Sequence, residues 1–195
     1  MPTTLILLRH GEIVRPVGTS NFDRAPLSER GQKQIEALAL AWPADPPEKI
    51  FASPLRRSYE SALVLSRIFR CPILKRACLK EWSTDESGLP QDEYMALERR
   101  AWADPAYVPP SKESLAAAAD RGRVCLERIG DEHEVRTVAV SGHGTLFSVV
   151  LARLKGERPT EAYKNSVGFA HAAIVGAGSG LRIVRDFRAY GDLGP

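Results

Sequence analysis

A chain of 195 residues, 44% of them apolar, is long enough for one sizeable core and marginal for two. Its net charge of +3 comes from 27 basic and 24 acidic residues interspersed along the sequence. With no basic stripe this argues against nucleic acid as a partner, and no apolar run approaches membrane-spanning length. Cys71, Cys78 and Cys125 are far apart with no CxxC spacing, which points to unpaired structural thiols in a reducing compartment. The N-terminus lacks a basic n-region, and its apolar run is short for a signal peptide. The expectation is a cytoplasmic protein with no membrane attachment.

In chain order, Thr3 to Leu8 reads as a buried strand that runs straight into Arg9, His10, Gly11 and Glu12. Residues 13–26 have a loop composition. Ser28 suits a helix N-cap before Glu29 to Trp42, where Ile35, Leu38 and Trp42 recur at helical spacing. PADPP at 43–47 ends that helix, and Lys49 to Ala52 reads as a second strand. The next helix is expected to start with Ser53 as N-cap and Pro54 at its first position. Residues 71–112 form an excursion with one helix around 90–103, followed by an alanine-rich helix over Lys112 to Ile129. Arg136 to Ser141 is a third strand, turned by Gly142 to Gly144 into a helix over Thr145 to Leu154. Val167 to Val175 and Leu181 to Asp186 read as final strands with GAGSG as a hairpin turn.

Strands alternating with helices predict a single α/β domain over 1–195, a three-layer α/β/α sandwich with a mainly parallel mixed sheet. Such sheets bind ligands beyond the carboxyl ends of their strands. Arg9-His10, Ser53 to Arg57 and Gly142-His143-Gly144 each follow a strand end, so three polar clusters converge on one rim.

An unpaired buried charge costs several kcal/mol, so Arg9 must reach water or meet an anion. Its guanidinium fork suits phosphate, Gly11 allows close backbone approach, and the neutral imidazole of His10 is a competent nucleophile toward phosphorus. His143, flanked by glycines on the same rim, could hydrogen-bond phosphoryl oxygens. Arg56 and Arg57 lie at a helix start, where anions are favoured, and one of them reads as a solvated surface charge. A leaving oxygen needs a proton donor, and chemistry alone does not choose among Glu12, Asp23, Glu81, Asp85, Glu86 and Glu113. His133 and His171 read as structural.

RHGE at 9–12, PLSERGQKQ at 26–34, SPLRRSYESA at 53–62, LKE at 79–81 and SGHGT at 141–145 together resemble the histidine phosphatase superfamily, the phosphoglycerate mutase-like group. The resemblance implies a metal-independent, cofactor-free phosphomonoester hydrolase with that family's fold, its helical excursion at 71–112 lying over the site. It implies His10 as the phosphorylated nucleophile, with Arg9, Arg57 and His143 around the phosphate and Glu81 as the proton donor. Ser20, Asn21, Gly144 and Thr145 are the implied substrate contacts. The chain departs from the family pattern at IVRP, with Pro16, at TSNFD before Arg24, and at WSTDESGLP after Glu81. Those loops border the leaving group, so Asp85 and Glu86 stay open as alternatives to Glu81. The implied partner is a small phosphorylated metabolite; a homodimer through the apolar C-terminal strands is compatible with the sequence and not demanded by it. Two other readings share the same core: mutase-type phosphoryl transfer, and an inactive phosphate-binding protein.

Overall fold

The computed structural model describes residues 2–19, 21–85, 87–132 and 136–191. Leu5 to Leu8 are fully buried in β1 (Thr3–Arg9), as an unbroken apolar run demands of a strand covered on both faces. β1 is central in a six-stranded sheet of order β3-β2-β4-β1-β5-β6. It pairs in parallel with β4 (Thr137–Gly142), which pairs in parallel with β2 (Lys49–Ala52), and β2 with β3 (Ile73–Lys75). On its other side β1 pairs antiparallel with β5 (Ala172–Gly178), which pairs antiparallel with β6 (Gly180–Arg188).

Alternate residues face opposite layers. Leu5, Leu7, Phe51, Val138 and Val140 pack in one cluster with buried residues of α4 (Leu115–Asp131) and α5 (Gly144–Lys155). Ile6, Leu8, Ile50, Ala52 and Ala139 pack in a second cluster with α1 (Glu29–Leu40) and α2 (Arg56–Phe69). The sheet is therefore the middle of three layers, and it is mainly parallel. Each fully buried leucine contributes about 1.5–3 kcal/mol of transfer free energy, which holds the strand ends in place. Among the described residues, no helix is long and apolar enough to cross a membrane.

Ser28 caps α1 by accepting from the Gly31 N–H, as its position in the sequence suggests. Four expectations are corrected. First, α2 begins at Arg56 with Leu55 as an uncapped N-cap; the Ser53 N–H still donates to the Ser141 carbonyl, so the chain remains extended through 53. Second, the segment from 71 opens with the short strand β3, too brief and too half-buried to show a pattern, before a 3₁₀ turn (Ala77–Leu79) and α3 (Gln91–Ala103). Third, the fifth strand starts at Ala172, five residues later than Val167, because the chain turns before it, with Ala170 at positive φ; the helix α6 (Glu161–Ser166), capped by Thr160, precedes that turn. Fourth, Cys78 and Cys125 form a disulfide between the 3₁₀ turn and α4, leaving Cys71 alone as a buried free thiol. Their 47-residue separation hides that pairing, and cysteine usage therefore gives no support for a reducing compartment.

Gly11 also has a different purpose from the one its position suggests. A Cβ there would collide with the Gly31 backbone of α1, and a Cβ at Gly31 would collide with Glu12. The two glycines let the strand end press against the helix start. Glu12 finishes this joint: its carboxylate accepts from Ser28 Oγ at 3.0 Å, and its N–H donates to Gln34 Oε1 at 2.8 Å. His171 lies beside Gly168 and its carbonyl accepts from the Arg9 N–H, while His133 lies outside the described residues.

Candidate active site

The carboxyl ends of β1, β2 and β4 meet beneath a cavity of about 780 Å³. His10 and Arg9 reach its floor from β1, Arg57 from the first turn of α2, and Glu81 and Thr145 from the loop after the 3₁₀ turn and from α5. Its walls carry Asn21 and Asp23 on one side, with Tyr94 and Glu98 of α3 and Lys164 of α6 on others.

His10 is 5% exposed and held in one tautomer by its neighbours. Its Nδ1 lies 2.7 Å from the Gly11 carbonyl and must donate there, because a carbonyl only accepts. Nε2 accepts from Arg57 Nε at 3.2 Å, so a lone pair is aimed at a guanidinium in the cavity floor. Burial lowers the His10 pKa well below its ordinary value, and Arg57 lowers it further. The imidazole is neutral at pH 7, the form that can attack.

Arg57 also donates to the Phe22 carbonyl at 2.6 Å, which fixes its fork. Arg56, next in sequence, faces solvent in an ion pair with Glu60. The Arg9 guanidinium lies 4.3 Å from the Phe169 ring centre and donates through Nη1 to the Val167 carbonyl, while its Nε has no partner among the described residues. Burial, against a smaller opposing pull from Glu81, lowers the pKa values of Arg9 and Arg57. Gly144 is narrow enough to admit Arg9, since a Cβ there would sit 3.1 Å from Nε.

His143 lies beneath the floor, fully buried, its ring edge-on to His10 at 5.4 Å between centres. Nε2 is 2.8 Å from Ser53 Oγ, and Nδ1 has no partner among the described residues. Burial, then Arg57 and His10, push its pKa well below the usual value.

Glu81 Oε1 accepts from the Leu146 and Trp82 N–H groups at 2.8 and 3.0 Å, and Oε2 from the Thr145 N–H at 3.1 Å. The carboxyl thus closes the open N–H groups of α5. Burial raises its pKa, outweighing the opposite effects of Arg57 and these amides. Asp85 also borders the cavity, but one oxygen accepts from Ser87, Gly88 and Leu89, and the Ser87 contacts lead in holding it ionised.

The other candidate acids are committed elsewhere: Asp23 pairs with Lys80 at 3.5 Å, and Glu113 clamps Arg121 at 2.7 Å. Asn21 lines the cavity and accepts from the Asp23 N–H; Ser20 and Glu86 lie outside the described residues. Sequence reasoning passed over three wall residues. Lys164 and Glu98 pair at 3.5 Å across the mouth, and Arg15 has no ion pair or hydrogen bond among the described residues. Lys164 was passed over because the stretch between Leu154 and Val167 carried no assigned element; Thr160, which accepts from the Tyr163 N–H, is the one cap-type residue at the start of α6.

A sequence profile described as the histidine phosphatase superfamily, branch 1, matches residues 5–185. The chain belongs to this superfamily. With it goes the activity: the protein is a phosphomonoesterase of histidine phosphatase type. It is 30% identical to phosphoserine phosphatase 1 of Hydrogenobacter thermophilus, over 78% of this chain and 76% of that one. It is 26% identical to the glucosyl-3-phosphoglycerate phosphatase of Mycolicibacterium vanbaalenii, over 97% and 90%. Among solved structures, the native mycobacterial glucosyl-3-phosphoglycerate phosphatase superposes with a TM-score of 0.75 at 24% identity, covering 96% of this chain and 99% of that one. That likeness shows that the two chains share the three-layer fold.

Proposed function

We propose that the cavity hydrolyses small phosphate monoesters in two in-line steps through His10, without a metal. The observation that carries this reading is the His10 tautomer, with Nδ1–H tied to the Gly11 carbonyl and the Nε2 lone pair facing the Arg57 guanidinium, which turns to the phosphate and frees it for attack. Arg9 and Arg57 bring two positive charges to a dianionic phosphate, and His143 donates from beneath. Nε2 attacks phosphorus as the P–O bond to the leaving group breaks, and protonated Glu81 gives its proton to that oxygen. Oε2, with a single long hydrogen bond, is the oxygen that holds the proton. The resulting carboxylate then takes a proton from water, whose oxygen attacks the phosphohistidine and releases phosphate and His10.

The leaving group meets the other walls, which residues 13–23, the segment at 71–112 and α6 supply. Lys164 there is matched by Glu98, and Asp23 by Lys80, which leaves Arg15 as a cation available to the substrate. The reading is a small phosphorylated metabolite that bears an anionic group such as a carboxylate. Phosphoserine and glucosyl-3-phosphoglycerate, the compounds in the names of the relatives, both fit that description. The test is hydrolysis of p-nitrophenyl phosphate with excess chelator present. Activity is expected to persist in the chelator and to vanish in His10→Ala; chelator-sensitive turnover, or turnover in the variant, would overturn the proposal.

A further inference from the structure

Ser53 is fully buried, yet it caps no helix. Its oxygen accepts from the Leu55 N–H at 3.3 Å and lies 2.8 Å from His143 Nε2. A hydroxyl has one hydrogen to give. Among the described residues the only acceptor within reach of that hydrogen is His143 Nε2. If Nε2 carried the proton instead, the Ser53 hydrogen would be buried without an acceptor, a loss of the kind that native interiors avoid. Leu55 to Ser53 to His143 is therefore a one-way chain of donors.

We propose that Ser53 is a positioning residue that holds His143 as the tautomer with hydrogen on Nδ1 and the lone pair on Nε2. Nδ1 is the nitrogen with no partner among the described residues. The device keeps a neutral imidazole with an uncommitted N–H next to His10, ready for a phosphoryl oxygen. A neutral donor does not compete with substrate for a proton and does not repel the adjacent Arg9 and Arg57. Without Ser53 the ring is free to turn its lone pair toward the phosphate, where two sets of lone pairs would repel. The second part of this inference rests on His143 meeting the phosphate, as proposed above; the tautomer itself does not.

The deciding measurement is the nitrogen-15 spectrum of the histidine-labelled protein near pH 7, with His143 assigned from its loss in His143→Gln. The expected result is a protonated Nδ1 and an unprotonated Nε2 for His143, with Nε2–H appearing in Ser53→Ala. An Nε2–H signal in the unsubstituted protein overturns the proposal outright. In kinetics, Ser53→Ala is expected to slow phosphoryl transfer about tenfold or more, a fraction of the loss typical when an oxyanion donor is removed. The loss should appear in kcat and shrink to within about twofold in a His143→Gln background, the signature of two residues acting as one unit. Additive losses in that cycle would contradict it. A His10→Ala protein that still turned over would instead sink the phosphohistidine reading, leaving the tautomer result standing.

Discussion

Replacing Glu81 with Gln removes a proton and little else, which makes it the sharpest perturbation of the chemistry. Gln can still place a carbonyl oxygen on the Leu146 and Trp82 N–H groups but must offer its NH₂ to the Thr145 N–H, now 3.1 Å from Oε2. One lost hydrogen bond costs about 1 kcal/mol of stability, so the variant folds. General acid catalysis contributes roughly 10²–10⁴-fold, equal to about 3–5 kcal/mol of barrier. An alkyl phosphate, whose alkoxide leaves poorly, should lose that whole factor. p-Nitrophenolate leaves as an anion unaided, so p-nitrophenyl phosphate should lose under about tenfold in the phosphorylation step. The assay compares burst rates on both substrates, because in the proposed mechanism later hydrolysis of the phosphohistidine also uses Glu81. Equal losses on the two substrates would refute the assignment and send the proton donor elsewhere, with Asp85 the next to test.

Stability should fall as the solution is acidified. His10 and His143 have lowered pKa values, chiefly from burial, so below about pH 6.5 the unfolded chain binds protons that the folded chain refuses. Their contribution is complete above that pH and declines by up to about 1.4 kcal/mol per pH unit for each histidine. The raised pKa of Glu81 opposes this, so the contrast to measure is urea unfolding of wild type against His143→Asn, whose slope with pH should be shallower. Identical slopes would contradict the burial argument. Opening the Cys78–Cys125 bridge frees a loop of 47 residues, worth roughly 4 kcal/mol of chain entropy. Dithiothreitol should therefore lower the urea midpoint of wild type but not that of Cys125→Ala; no shift would mean that the bond is absent in solution. Finally, Arg15→Gln should reduce the preference for 3-phosphoglycerate over glycerol 3-phosphate about tenfold in kcat/KM, the value of one charge-assisted contact. An unchanged preference would remove Arg15 from the substrate.

The sheet centre was legible because Leu5 to Leu8 and Val138 to Val140 are short apolar runs bounded by glycine turns, the pattern of buried strands, and both end in the polar groups of the site. Arg57 could be placed over Arg56 only by resemblance; the physical distinction, a half-buried Glu60 one turn away that pairs with an exposed Arg56, needs the helix phase. β3 and α6 were illegible for a common reason: three and six residues are too few to establish a period, and tertiary contacts decide them. Gly11 was misread because a glycine shows that something approaches closely without showing whether it is ligand or helix. The disulfide joins segments whose proximity exists only after α4 docks on the sheet. Ser53 illustrates a further limit: the residue type that suggests a helix cap equally suits a buried hydroxyl fixing a histidine, and only the fold chooses.

The central claim is that His10 Nε2 bonds to phosphorus. It is tested most directly by mixing the protein with a ³²P-labelled phosphomonoester, quenching within the first turnover, and asking where the label resides. The account predicts a protein-bound label that survives alkali, is lost in acid, maps to the peptide holding His10, and is missing from His10→Ala. A catalytically active protein that never carries label, or a label of the same stability in His10→Ala, would contradict it.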